Sequence, residues 1–178
     1  VYYNENVYRI SNGTHSFKEI LQLGVECMGP IDEYSVYEVL SLAAKSLSVF
    51  SEDVVLDLSD FGLLTQLLDV FGIKDTLRKK VLLAIAEKNV HDLDRICTDA
   101  HILSDNIDAL KQLVQIYGAP ADVFPKVRGI LGGKVDEKSL DSFEALCKNL
   151  CDSGFEDMIR IDFSIVNGVD YYNGIVFK

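Results

Sequence analysis

Residues 159–177 carry two runs of strand-type sequence around an Asn-Gly pair, while nothing from residue 74 to 154 has that period. Ile159, Ile161, Phe163 and Ile165 alternate with Arg160, Asp162 and Ser164, the period of a strand with one buried face. Asn167-Gly168 interrupts the run with two residues that tolerate positive φ, a natural turn. Val169 to Phe177 then resume in aromatic and β-branched residues as a second strand. Alternation places Asp170, Tyr172 and Gly174 on one face, and Val169, Tyr171, Ile175 and Phe177 on the other. A carboxylate, a phenol and a bare glycine on one face leave room for a small ligand and groups to hold it. A solvated strand face carries the same pattern.

The beginning of the chain has a second strand pair. Tyr2, Tyr3, Val7, Tyr8 and Ile10 are good β formers, and Ser11 to His15 form a polar loop. A strand over 16–28 follows, ended by Gly29-Pro30. Phe17, Leu21, Leu23, Val25 and Cys27 face one way, and Lys18, Ile20, Gln22, Gly24 and Glu26 the other. Gln22 and Glu26, four residues apart, share a face about 13 Å apart along the strand. They suit the two sides of a small ligand.

Between these ends the period is that of helices, apart from one short apolar strand over 54–59. Helices are predicted over 32–50 and 61–71, the second stopped by Gly72. Five more follow, over 75–87, 89–98 with Asn89 as N-cap, 104–117, 121–131 begun by Pro120, and 136–151. Five helices without a strand between two sheet motifs describe a helical insertion. The division predicted is 1–73 and 155–178 for the sheet-bearing core and 74–154 for the insertion. Such a chain is α+β, an antiparallel sheet flanked by helices.

The chain has 178 residues and a formal net charge of −11, with no basic stripe. Nucleic-acid binding rests on Lys and Arg neutralising phosphates, so a direct nucleic-acid role is not expected. No apolar run reaches the roughly 18 residues that span a bilayer, and no membrane association is expected. Cys27, Cys97, Cys147 and Cys151 lie among apolar neighbours without a CxxC. Cys147 and Cys151 are four apart on a predicted helix, a spacing a metal could use. With no third ligand nearby, all four read as buried thiols and no metal is expected. This points to a reduced, cytosolic protein. His91 and His101 read as ordinary polar residues, and Asp92, Asp94, Asp99, Asp105 and Asp108 as a solvated face. The opening residues already have the character of a strand interior, so a piece of a longer protein is expected.

The sequence VDYYNGIVF, within Gly168 to Phe177, resembles the histidine-specific block of histidyl-tRNA synthetases and of their non-synthetase relatives. YYNENVYR, a loop, then FKEILQLGVE resembles motif 2 of the same class II family. The resemblance implies a partial class II aminoacyl-tRNA synthetase-like fold. It places Arg9 on the motif 2 arginine that grips the ATP α-phosphate and the substrate carboxylate. It places Gln22 and Glu26 on the pair that recognises histidine, and Asn167, Asp170, Tyr171 and Tyr172 in the remainder of that pocket. Two departures matter. Active synthetases carry an arginine where this chain has Asn167, and further arginines in the loop where it has Asn12, Thr14, His15 and then Lys18. An amide supplies no fixed positive charge for a developing anion. Motifs 1 and 3 of the family find no counterpart in these residues, so no complete ATP site is expected.

VLDLSDFGLLTQLLDVFGI is closer to regulatory relatives than to synthetases. The resemblance therefore implies a regulatory subunit of ATP phosphoribosyltransferase in histidine biosynthesis. Such subunits associate with a short catalytic subunit as a hetero-oligomer, enable its activity and mediate feedback inhibition by histidine. On that reading the chain has no catalytic residue and no cofactor, and its pocket is a vestigial histidine/ATP pocket. A fragment of an active histidyl-tRNA synthetase, and a plain small-ligand binding module, are the alternatives.

Overall fold

A computed structural model describes residues 1–10, 16–166 and 174–178. The first element pair is β1, Tyr2–Ile10, and β2, Phe17–Val25, antiparallel with Tyr3 opposite Gly24, Glu5 opposite Gln22 and Arg9 opposite Lys18. The predicted strand over 16–28 overruns β2 by one residue at its start and three at its end, although a two-way backbone pairing of Val1 with Glu26 at 2.8 Å continues the ladder by one step. The register reproduces the division of faces. Its apolar face stays open, with Phe17, Leu21 and Leu23 all more than 60 % exposed.

A helix, α1, spans Glu33–Ser48. Asp32 caps it by accepting from Ser35 N at 2.8 Å and Ser35 Oγ at 2.6 Å. The next strand, β3 (Leu56–Asp60), runs directly into α2 (Phe61–Val70), and Asp60 Oδ1 caps that helix on Leu63 N at 3.1 Å. Gly72, at φ 74, takes the left-handed turn that stops it. Five helices follow: α3 Asp75–Ala86, α4 Val90–Asp99, α5 Ser104–Gln115, α6 Pro120–Leu131 and α7 Glu137–Leu150. Asn89 caps α4 and Pro120 opens α6, both as predicted. A wide turn at Cys151–Phe155 then leads to β4, Ile159–Ile161, and the last strand is β5, Ile175–Phe177.

The three short strands form one sheet in the order β4-β3-β5, with β4 parallel to β3 and β5 antiparallel to it. Two expectations are corrected here. The sheet is mixed rather than antiparallel, because parallel neighbours require a long crossover and residues 61–158, carrying six helices, provide it. Nor do the last two strands pair as neighbours, since β3 lies between them.

The alternating run also stops early, at Ile161 instead of Ile165. Asp162 Oδ1 accepts from Ser164 N at 2.9 Å and Ser164 Oγ at 2.6 Å, which turns the chain. All of residues 161–166 are buried, so Asp162 and Ser164 do not face solvent. The Asn167-Gly168 turn and the strand positions 169–173 lie outside the described residues.

The core runs without a break from the sheet into the helical block. Leu56 and Leu58 of β3, Leu63, Leu64, Leu67 and Leu68 of α2, and Leu110, Val127, Leu140 and Leu150 of later helices belong to one buried cluster. Phe143 joins its parts, meeting Phe124 edge-on at 5.4 Å and Phe163 at 6.2 Å. Gly118, between α5 and α6, accepts from Ile161 N at 2.9 Å and covers the outer edge of β4. Cys97 and Cys147 are buried as expected, but Cys27 is exposed and Cys151 half-buried. Cys27 lies two residues beyond the end of β2. No described helix is long and apolar enough to cross a membrane.

Candidate functional site

The β1–β2 register decides which predicted residues meet. Tyr3, Arg9 and Gln22 share the more polar face. The Gln22 amide joins the other two: its Nε2 donates to the Tyr3 hydroxyl at 2.7 Å, and its Oε1 accepts from Arg9 Nη2 at 3.0 Å. Glu26, one ladder step beyond β2, falls on that face and is exposed. Arg9 is exposed and Gln22 partly buried. Three of the seven predicted site residues are thus on one sheet face, with Arg9 and Gln22 in direct contact. Asn167, Asp170, Tyr171 and Tyr172 lie outside the described residues.

Tyr3 was absent from the predicted set. Its ring lies over Gly24, so that a Cβ at residue 24 would overlap Tyr3 Cζ and Oη. This glycine leaves room for the ring, the ring brings its hydroxyl to Gln22, and Gln22 holds Arg9. The signal was available only through the register, because Tyr3 and Gly24 are 21 positions apart in the chain. Chemically, the face offers a guanidinium and an amide for a carboxylate or phosphate, and the Glu26 carboxylate for an ammonium or imidazole.

A second polar cluster sits where the helical block meets the sheet. Lys88, in the α3–α4 turn, donates to Asp162 Oδ2 at 2.8 Å, and its Nζ lies 5.3 Å from the centre of the Tyr117 ring. Asp57 of β3 is close by. Burial first, and the charge of Asp162 second, hold its carboxyl above the ordinary range. Burial, followed by the charge of Asp57, raises the Tyr117 phenol. Among the described residues no group of three or more His, Cys, Asp or Glu is placed to hold a metal ion.

A groove lies between α1 and α7 beside the β3 and β5 ends, with a volume of ≈ 860 Å³. Sequence periodicity gave no sign of it, because α1 and α7 are a hundred residues apart.

The histidyl-tRNA synthetase family model matches residues 1–178. An ATP phosphoribosyltransferase regulatory subunit from Nostoc sp. is 34 % identical over 182 aligned residues, covering all of this chain and 43 % of that protein. A histidine–tRNA ligase from Pyrococcus horikoshii is 27 % identical, covering 99 % of this chain and 42 % of its own length. Among solved structures, an ATP phosphoribosyltransferase regulatory subunit/histidyl-tRNA synthetase from Bacillus halodurans superposes with a TM-score of 0.82 at 23 % identity, over 99 % of this chain and 46 % of that one. The ATP phosphoribosyl transferase (HisG:HisZ) complex from Thermotoga maritima gives 0.78 at 20 % identity, over 99 % and 61 %. These two likenesses are of fold. The chain spans less than half the length of the curated relatives it matches, and within that span the match is complete from the first strand to the last: it belongs to the histidyl-tRNA synthetase family.

Proposed function

We propose that the protein to which this chain belongs is the non-catalytic regulatory subunit of ATP phosphoribosyltransferase. It associates with the short catalytic subunit, enables its activity and transmits inhibition by histidine. The observation that carries this reading joins a described contact on the hairpin to a departure in the sequence. The Tyr3–Gln22–Arg9 chain keeps a pocket wall suited to an amino acid, while Asn167 stands where the resemblance puts a synthetase arginine. Recognition groups without the fixed cation favour binding over acyl transfer. Full-span similarity to regulatory subunits supports the same direction.

Histidine regulates on this account by linkage. It shifts the complex only as far as it binds one assembly state better than another. The residues assigned to histidine on this reading are Arg9, Gln22, Glu26, Asn167, Asp170, Tyr171 and Tyr172, the last four by the resemblance of their sequence. Arg9, retained on motif 2, and the likeness to histidine–tRNA ligases favour an aminoacylating enzyme instead. ATP–pyrophosphate exchange separates the two: the full-length protein with histidine and ATP shows no exchange if it is regulatory, and histidine-dependent exchange would restore the synthetase.

A further inference from the structure

The groove between α1 and α7 has the size and chemistry of a small-molecule site, and it shares no residue with the hairpin face. Its ≈ 860 Å³ falls within the roughly 300–1,000 Å³ that such sites occupy. Asp60, closing β3, and Ile175, opening β5, lie at the sheet end. Tyr34 and Tyr37 line the α1 side, with ring centres 6.1 Å apart. Phe143 and Leu146 line the α7 side.

The walls are tied together at two points. Ser142 Oγ donates to Glu33 Oε1 at 3.1 Å, and the Tyr37 and Ser153 hydroxyls are 2.7 Å apart. A cavity held by cross-links of this kind exists before its ligand arrives, which lowers the ordering cost of binding.

Its charge is one-sided. Glu33, Asp60, Asp136 and Asp152 line it against a single cation, Lys138. Asp136 is occupied in capping α7, on Ser139 N and Oγ. Asp60 is different. It accepts from backbone amides at the start of α2, and burial holds its carboxyl above the usual range with no cation opposing that shift. No ion pair reaches Glu33, Asp60 or Asp152 among the described residues. The carboxylates are not gathered as metal ligands there either.

An anion would meet repulsion in this groove, and a neutral apolar molecule would bury Asp60 further without compensation. A cation with an apolar body satisfies both constraints. Its charge finds carboxylates in a region of reduced dielectric, and its body finds Tyr34, Tyr37, Phe143 and Leu146. We infer that the α1–α7 groove is a binding site for a small organic cation, an ammonium carried on an aromatic or similarly sized apolar group. Because one wall belongs to the helical block and the other to the helix after the hairpin, its occupant would bridge the two.

The test is a calorimetric titration of the chain with phenethylammonium, 2-phenylethanol (the same body without charge) and methylammonium (the charge without the body). Phenethylammonium should bind with a dissociation constant of about 1 mM or below, at least about tenfold tighter than either control, and weaken with added salt. Asp60→Asn keeps a capping side chain and should weaken phenethylammonium about tenfold. Circular dichroism checks that this variant is folded. Asp152→Asn, at an exposed position, should weaken it less, in the same direction. Equal affinity for phenethylammonium and 2-phenylethanol would overturn the assignment. So would binding that both substitutions leave unchanged, or no binding of phenethylammonium at about 10 mM.

Discussion

Lys88 Nζ lies 2.8 Å from Asp162 Oδ2, an ion pair across 74 positions that ties the α3–α4 turn to the end of β4. Lys88 is held at φ 51, a left-handed conformation unusual outside glycine, while Asp162 is nearly fully buried. From Asp162 the chain passes directly into residues 163–166 and then the histidine-type block. The pair therefore anchors the start of the buried stretch 162–166.

Lys88→Met should destabilise the chain by about 1–2 kcal/mol in urea unfolding. Removing one partner of a buried pair costs more, but the Lys88 side chain is 47 % exposed and water compensates part of the loss. Asp162→Asn keeps an acceptor for Ser164 and relieves Asp57, so it should cost less. A loss below about 0.5 kcal/mol for Lys88→Met, the range of ordinary surface changes, would contradict the anchoring role.

Asp57 and Asp60 have folded-state pKa values raised above the reference of 3.8. A raised carboxyl binds more protons folded than unfolded, so its contribution is present below the unfolded value and lost as pH rises through the folded one. Asp32 and Asp136, lowered by their Ser35 and Ser139 hydrogen bonds, act in the opposite sense, giving stability above 3.8 that is lost in acid. The whole-chain profile mixes the two. The difference between Asp57→Asn and the parent isolates one of them, and it should move in favour of the variant as pH rises from about 4. A difference that stays flat with pH refutes the raised carboxyl.

Gly24→Ala forces the Tyr3 ring off the strand and separates its hydroxyl from Gln22. The substitution should destabilise the hairpin by about 1 kcal/mol, and Tyr3→Ala in the same chain should make it nearly neutral. Hydrogen exchange of the β1–β2 amides reads this directly. Equal protection loss with and without Tyr3 would mean the ring and the glycine are not coupled.

Cys27 should react first with iodoacetamide, since it alone of the four cysteines is exposed. Burial raises the Cys97 thiol to about 11, and it raises the deeply buried Cys147 as well, so both should stay unmodified in the folded chain. Peptide mapping after brief labelling distinguishes them, and modification of Cys147 at the rate of Cys27 would contradict the packing of α7.

Much of this architecture could be read from the order of residues, because helix signals are local. Asp32, Asn89 and Pro120 mark helix starts through contacts within one turn, and the faces of β2 follow from alternation alone. Long-range pairing left no such mark. That β3 would separate β4 from β5 depends on the crossover through six helices, and the early end of β4 depends on an Asp162–Ser164 turn inside an otherwise regular alternation. At the candidate face, Arg9, Gln22 and Glu26 were found through motif resemblance, whereas Tyr3, which completes it, needed the register. The Lys88–Asp162 pair and the α1–α7 groove join segments too distant for any periodicity to connect.

The most direct test of the regulatory account mixes the full-length protein with the short-form ATP phosphoribosyltransferase catalytic subunit of the same organism and follows product formation with and without histidine. The account predicts activation by the full-length protein and inhibition by histidine, with the inhibition weakened in Gln22→Ala and Glu26→Ala. No activation, together with histidine-dependent ATP–pyrophosphate exchange by the full-length protein alone, would contradict it.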